Sequence, residues 1–295
     1  MNKTLREFPQ DIQLYLMESF GFPVTIEKLS GIKSDGGCHR LRFEDISVIV
    51  KQMKEPQEYL FYKECTKYLQ DFESHIPSLL FSHKEEVDHW IIIEDLEKPL
   101  PKDRWFADKE VLQVLFKFHT WTWGKDLPLK SPYSPSWQDE MNHRVLELLP
   151  NNIRGQVEGD LFRLQREAKD LFKPICWLSG DTNPTNWGIR RDGTVVIFDW
   201  ERICTGSPAI DLAITMPGLG SDDGNLESLI ASRYMSMWTE LSYELPFTEE
   251  KLIKDIKLAK LWSVVEFLAK NWTTLEHEAL SNILDKLITR LMKRP

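Results

Sequence analysis

No stretch of the chain approaches the run of about eighteen apolar residues that a membrane-spanning helix requires. The opening MNKTLREFPQDIQLYLMESFG spaces its apolar residues at helical intervals between charges and lacks the unbroken apolar core of a signal peptide. Both absences point to a cytoplasmic protein with no membrane partner. Cysteine is scarce: Cys38, Cys65, Cys176 and Cys204 are scattered, form no CxxC pair and have no histidine at ligand spacing. That pattern indicates neither a disulfide framework nor a zinc site, and the four read as reduced, mostly buried thiols. Positive charge is in deficit as well. A net charge of −9 and a pI near 5.4 argue against a nucleic-acid polymer as partner, because backbone phosphates demand a basic face. Repeats and low-complexity segments are missing too.

What is present is a chain of 295 residues, long enough for one large domain or two modest ones with a sizeable core. After an amphipathic helix at about 4–19, TIEKLSGI, HRLRFED and ISVIVKQM read as strands around the loop from Gly31 to Gly37. PQEYLFYKECTKYLQDF follows as a helix that opens on a tolerated proline. HWIIIEDL reads as a buried strand, and helical patterns then cover 109–123, 136–149, about 157–172, 223–242, 249–271 and 275–293. A strand-rich first third joined to a helix-rich remainder is an α+β protein in two lobes, 1–95 and 96–295, with the boundary near Asp95.

The densest chemistry lies in SGDTNPTNWGIRRDGTVVIFDWE, residues 179–201. NWGIR and TVVIFDW are β-rich segments separated by RDG, whose glycine can take positive φ, so the segment is a hairpin. Antiparallel pairing brings the start of one strand beside the end of the other, which makes neighbours of Asn186 and Asp199. An amide oxygen and a carboxylate so placed suit Mg²⁺, a hard cation that takes few protein oxygens. Taken singly, Asp199 is a strand-end acid and Asn186 a turn residue; their joint occurrence, in order with Asp181 and Asp211, is what carries weight. Asp181 sits between Gly180 and Pro184, out of any helix, where an acceptor hydroxyl needs a proton acceptor if phosphate is moved to it.

SGDTNPTNWGI, VVIFDWE and GSPAIDLA together resemble the signature of the aminoglycoside phosphotransferase and choline kinase family, whose catalytic segment reads H-G-D-x-x-x-x-N and whose metal segment reads I-D-W/F-E/D. VIVKQM, EYLFYKE, WIIIEDL and LFKFHTWTWG resemble further family segments in the same order. The resemblance implies a protein-kinase-like fold with a small, mainly β, nucleotide-binding lobe, a hinge, and a larger helical lobe for catalysis and acceptor binding. It implies ATP and Mg²⁺ as cofactors. It implies Asp181 as the catalytic aspartate that orients or deprotonates the acceptor, Asn186 and Asp199 as metal ligands, and Lys51 on the phosphates, fixed by Glu58. Glu94, at the end of the strand that leads to the hinge, is assigned to the cofactor site with them. Asp211 is implied as a brace for the catalytic loop. One departure stands out: Ser179 occupies the place of the family histidine, in a supporting role.

The acceptor follows from local residues. Residues 201–250 hold nine acids against Arg202 and Arg233. Most are solvated helix faces; the sharper reading is an acidic wall for a cationic substrate, with Glu201, Asp222 and Asp223 as candidates. This favours a polyamine or amino-sugar antibiotic. Alternatives are a choline or ethanolamine kinase with an aromatic cage from Trp238, Trp262 and Trp272, a homoserine or other metabolite kinase, and an inactive nucleotide-binding scaffold, which Ser179 motivates. His119, among Leu115, Phe116, Phe118 and Trp121, reads as a core histidine without chemistry.

Overall fold

The computed structural model describes residues 5–29, 37–69, 72–96, 98–129, 132–219, 225–241 and 245–292. In chain order its elements are α1 (Gln10–Phe20), β1 (Thr25–Leu29), β2 (Cys38–Arg42), β3 (Ser47–Met53), α2 (Gln57–Leu60), β4 (Leu79–Lys84), β5 (His89–Glu94), β6 (Lys98–Pro99), α3 (Lys109–Thr122), α4 (Asp139–Leu148), α5 (Asn151–Glu167), β7 (Cys176–Leu178), β8 (Trp187–Ile189), β9 (Val195–Ile197), β10 (Cys204–Gly206), α6 (Ala209–Ile214), α7 (Asn225–Glu240), α8 (Glu249–Asn271) and α9 (His277–Met292). Among the described residues no helix is long and apolar enough to cross a membrane.

Two compact units emerge, and both are discontinuous in sequence. One gathers residues 1–99, 127–133 and 187–203; the other gathers 100–126, 134–186 and 204–295. This differs from a single boundary near Asp95, and strand pairing gives the reason. β6 pairs with β8, and β8 with β9, so the hairpin is drawn into the first unit.

In the first unit five antiparallel strands run in the order β1-β2-β3-β5-β4. Alternation along β3 buries Val48 and Val50 on the face that α1 covers with Ile12 and Leu16, and Leu5, Phe8, Leu41, Trp90 and Ile92 complete that core. Lys51, at the next position of β3, therefore faces the other way. Residues 56–69 are not one helix. Four residues of α2 pass into a π-helical turn, Phe61–Cys65, and then a 3-10 turn, Thr66–Tyr68. The wider turn lets Phe61 and Tyr62, consecutive and both at most 1 % exposed, be buried together. β4 has no counterpart in the sequence reading, because its residues are all partly exposed and give no period-two signal.

The second unit is built of helices around the short pair β7–β10. α6 packs along α8, and α3, α4 and α7 also contact these two. Leu112, Leu115, Phe118, Ile210, Leu212, Ile230, Val265 and Leu268 are all buried there. Trp238 and Trp262 belong to the same interior. Trp238 meets Phe116 and Trp123 edge to face, and Trp262 donates its indole N–H to the Ser136 carbonyl at 2.8 Å. Trp272 alone of the three is exposed, so the helices do not offer these rings as a cage.

Candidate active site

In the first unit the structure brings Lys51, Glu58 and Asp199 together. Lys51 Nζ contacts the Glu58 carboxylate and donates to Asp199 Oδ1 at 2.7 Å. Glu58 takes this place ahead of Glu55 and Glu64 because the turn of α2 points it inward, where it is 2 % exposed. Burial alone would pull the Lys51 ammonium down; the two carboxylates outweigh it and hold the group above the ordinary lysine value. Burial lifts the Glu58 carboxyl above the usual carboxylate range while Lys51 pulls against it. Asp199 takes φ +67°, a left-handed conformation that costs a non-glycine residue roughly 1–2 kcal/mol. What holds it is packing as well as charge. The next residue, Trp200, stacks on Phe61 with ring centroids 4.1 Å apart, and its backbone N–H lies 3.4 Å from Glu58 Oε1.

β8 and β9 form the expected hairpin, with Trp187 opposite Ile197 and Ile189 opposite Val195. Gly193 supplies the turn at φ +92°, and Asp192 Oδ1 accepts the Thr194 N–H at 2.9 Å. Arg190, at the exit of β8, reassigns Glu94. Its guanidinium holds both carboxylate oxygens of Glu94, at 2.7 and 2.8 Å, and the Ser78 N–H adds a third bond at 3.1 Å. Burial would raise the Glu94 carboxyl, but these bonds hold it below its ordinary range. The side chain placed in the cofactor site from sequence is thus committed to tying β5 to the hairpin. Glu201 is exposed. Asp222 and Asp223 lie outside the described residues.

In the second unit the loop that carries Asp181 is held by buried side chains. Asp211, fully buried on α6, accepts the backbone N–H of Ser179 on Oδ2 and that of Gly180 on Oδ1, both at 2.9 Å. His119 Nε2 lies 3.1 Å from the same Oδ2, and His119 Nδ1 lies 3.0 Å from the Tyr234 hydroxyl. Thr182 Oγ1 donates to the Asp211 carbonyl. Gly180 takes φ +75°, which turns the chain into Asp181. Asn186 Nδ2 donates to the Asp181 carbonyl at 3.0 Å, leaving its oxygen, the metal-capable atom, unused by that bond. Ser179 contributes through its backbone; its hydroxyl is buried with no hydrogen-bond partner among the described residues.

Three residues of these constellations escaped the sequence reading: Arg190, Tyr234 and the bracing role of His119. A histidine on the apolar face of α3, with an acid predicted to sit under the catalytic loop, was the available signal for the last. Among the described residues no group of three or more His, Cys, Asp or Glu side chains is arranged to hold a metal.

Comparison with known proteins decides the family. A family model described as Phosphotransferase enzyme family, or APH, matches residues 47–234, which spans Lys51 through Tyr234. The chain belongs to that family. Solved structures with the phosphotransferase fold agree. A microcompartment-associated aminopropanol kinase superposes with a TM-score of 0.64 at 11 % identity, covering 96 % of this chain and 95 % of its own. The choline kinase LicA from Streptococcus pneumoniae gives 0.60 at 16 % identity, over 97 % and 99 % of the two chains. A thermostable mutant of the aminoglycoside phosphotransferase APH(4)-Ia, solved with AMP-PNP and hygromycin B, gives 0.59 at 14 % identity, over 97 % and 100 %. No curated protein sequence matches significantly. The chain is thus a phosphotransferase of the kinase-like α+β fold, and the neighbours act on different acceptors.

Proposed function

We propose that this phosphotransferase moves the γ-phosphate of ATP to a hydroxyl of a small cationic molecule, with an aminoglycoside-like antibiotic as the first acceptor to test. The observation that carries the reading is Lys51 held between Glu58 and Asp199, a cation ready to exchange a carboxylate for phosphate oxygens. Lys51 binds the α and β phosphates, and Glu58 keeps its ammonium in place. The proposed Mg²⁺ ligands are Asn186 and Asp199, whose amide and carboxylate oxygens suit a hard cation that when bound would neutralise phosphate charge. Asp181 orients the acceptor hydroxyl and takes its proton as that oxygen bonds to the γ-phosphorus, while the bridging P–O bond breaks and ADP departs. Asp211 keeps the Asp181 loop in register through two backbone N–H bonds. These bonds do not depend on the side chain of residue 179, which favours an active enzyme over a scaffold despite the serine.

A cationic acceptor is supported by the acid excess over 201–250 and by the exposed Glu201, although Asp211 and Glu227 of that stretch are buried and engaged internally. Asp222 and Asp223 remain candidates from sequence. The proposed setting is the cytoplasm, and the proposed biological role is antibiotic resistance. The test is ADP release and phosphate incorporation with ATP, Mg²⁺ and a panel of aminoglycosides, choline, homoserine and methylthioribose, for the wild type and for Asp181→Asn. The variant is expected to lose roughly 10²–10⁴ in turnover with nucleotide affinity retained. Nucleotide binding without transfer to any member of a wide panel would instead establish the scaffold.

A further inference from the structure

The end of α6 meets three charged side chains that the proposed reaction leaves unused. Lys260 of α8, only 4 % exposed, directs its Nζ at the carbonyl oxygen of Met216, just past the last turn of α6. Arg290 of α9 pairs with Glu227 of α7 and also donates to the Leu219 carbonyl. Glu227 is fully buried, and its Oε2 has no hydrogen-bond partner among the described residues. Charges elsewhere along α8 are engaged with other groups: Lys251 with Asp255, Lys254 with Glu167 of α5, and Glu266 with Lys270. From α4, Arg144 donates to the Ala269 carbonyl. On α6 itself the titratable group is Asp211, turned to the loop and to His119. Lys260 therefore faces one acid, one base and one carbonyl.

A buried lysine is costly unless its donors are used. The last carbonyls of a helix lack partners within it, and a cation placed there supplies a donor and opposes the negative end of the peptide dipoles. We propose that Lys260 is a positioning residue for phosphoryl transfer: its ammonium anchors the turn that leaves the helix whose Asp211 holds the loop bearing Asp181. The chain of contacts runs from Lys260 to Met216, through α6 to Asp211, and on to the Ser179 and Gly180 N–H groups. Burial first, and Arg290 second, push Lys260 down to about 7 against the pull of Glu227, so the anchor loses its charge within the physiological range. The role in transfer rests on the assignment of Asp181 above; the coupling to the loop does not.

The experiment compares the full-length wild type with Lys260→Gln, which keeps a donor and never a charge, Lys260→Met, which has neither, and Lys260→Arg, which keeps the charge. Amide hydrogen exchange of the peptide 176–186 is read by mass spectrometry from pH 6.5 to 8.5, corrected for intrinsic rates. At pH 6.5 Lys260→Gln is expected to exchange about tenfold faster than wild type, with Lys260→Met faster still and Lys260→Arg closest to wild type, since a bond to a charged donor is the stronger one. The ratio of Gln variant to wild type should grow as pH rises through 7, because discharging the buried ammonium stabilises the folded arrangement in the wild type alone. AMP-PNP affinity should stay within about twofold, because the substitution leaves Lys51, Glu58 and Asp199 unchanged. Equal exchange in wild type and Gln variant, or a ratio that does not change with pH, overturns the proposal, and this comparison suffices if Lys260→Met fails to fold. A loosened loop in proteins that transfer phosphate to no acceptor leaves the coupling standing and the reaction refuted. Transfer with no loosening refutes the coupling alone.

Discussion

Asp211 and Asp199 are both acids at the centre of the proposed chemistry, yet the fold treats them in opposite ways. Asp211 is fully buried, its two oxygens shared among two backbone N–H groups and a histidine. Asp199 is partly exposed, sits at a strained φ of +67°, and shares one lysine with Glu58. The first arrangement has no redundancy: each oxygen answers a donor that has nowhere else to turn. The second does, since Lys51 retains one carboxylate if the other is lost. A carboxylate used as scaffold is saturated by fixed donors, whereas one used at a ligand site keeps a lone pair and a replaceable partner.

The largest effect expected from this contrast is that of Asp211→Asn. One amide oxygen cannot serve both N–H groups, and the charge on the bonds is lost, so urea unfolding should show a loss of about 3 kcal/mol or more. A loss below about 1 kcal/mol would mean that the loop does not depend on this brace. Next comes the pH dependence of stability through Lys260. Its value in the folded protein, about 7, lies below the ordinary lysine value near 10.4. Between those limits the unfolded chain binds a proton that the folded chain does not, so stability rises with pH there, by up to about 1.4 kcal/mol per unit. Below pH 7 both states hold the proton and this contribution is flat. Lys260→Met should lack the rise, and identical slopes in denaturation from pH 7 to 8.5 would refute the assignment.

Glu58→Gln should be milder, costing about 1–2 kcal/mol, because Asp199 still partners Lys51. Its signature is weaker AMP-PNP binding, by about tenfold, as the ammonium loses its anchor. A variant less stable than Asp211→Asn would reverse the comparison. The smallest effect belongs to Ser179→Ala. The hydroxyl is buried and makes no hydrogen bond among the described residues, so its removal should leave the melting temperature unchanged or slightly raised, and a clear drop would reveal a partner for it.

The sequence carried the element order and most of the helix limits, down to both ends of α8 at 249 and 271, because apolar periodicity there spans many turns. It did not reveal the π-helical turn at Phe61–Cys65 or the edge strand β4. The first depends on which aromatic rings are buried in three dimensions, and the second is too evenly exposed to leave a periodic trace. The motif residues drew notice because several chemical types recur in a fixed order, but Glu94 shows the limit of that reasoning. An acid beside a hinge strand reads as a ligand until Arg190, 96 residues further on, is seen to occupy it. Lys260 escaped for a similar reason. Within KLAKLW one lysine faces inward between apolar neighbours, and nothing in sequence marks which of the two it is.

The hairpin β8–β9 joins the sheet-bearing unit although the chain reaches it only after α3, α4 and α5 of the other. A gene fragment ending at Pro99 would therefore leave Glu94 without Arg190 and His75 without the Val195 carbonyl, and β6 without its neighbouring strand. The amino-terminal portion is not an autonomous folding module that could be expressed, swapped or transplanted intact; its completion must await synthesis of residues well past the midpoint of the polypeptide.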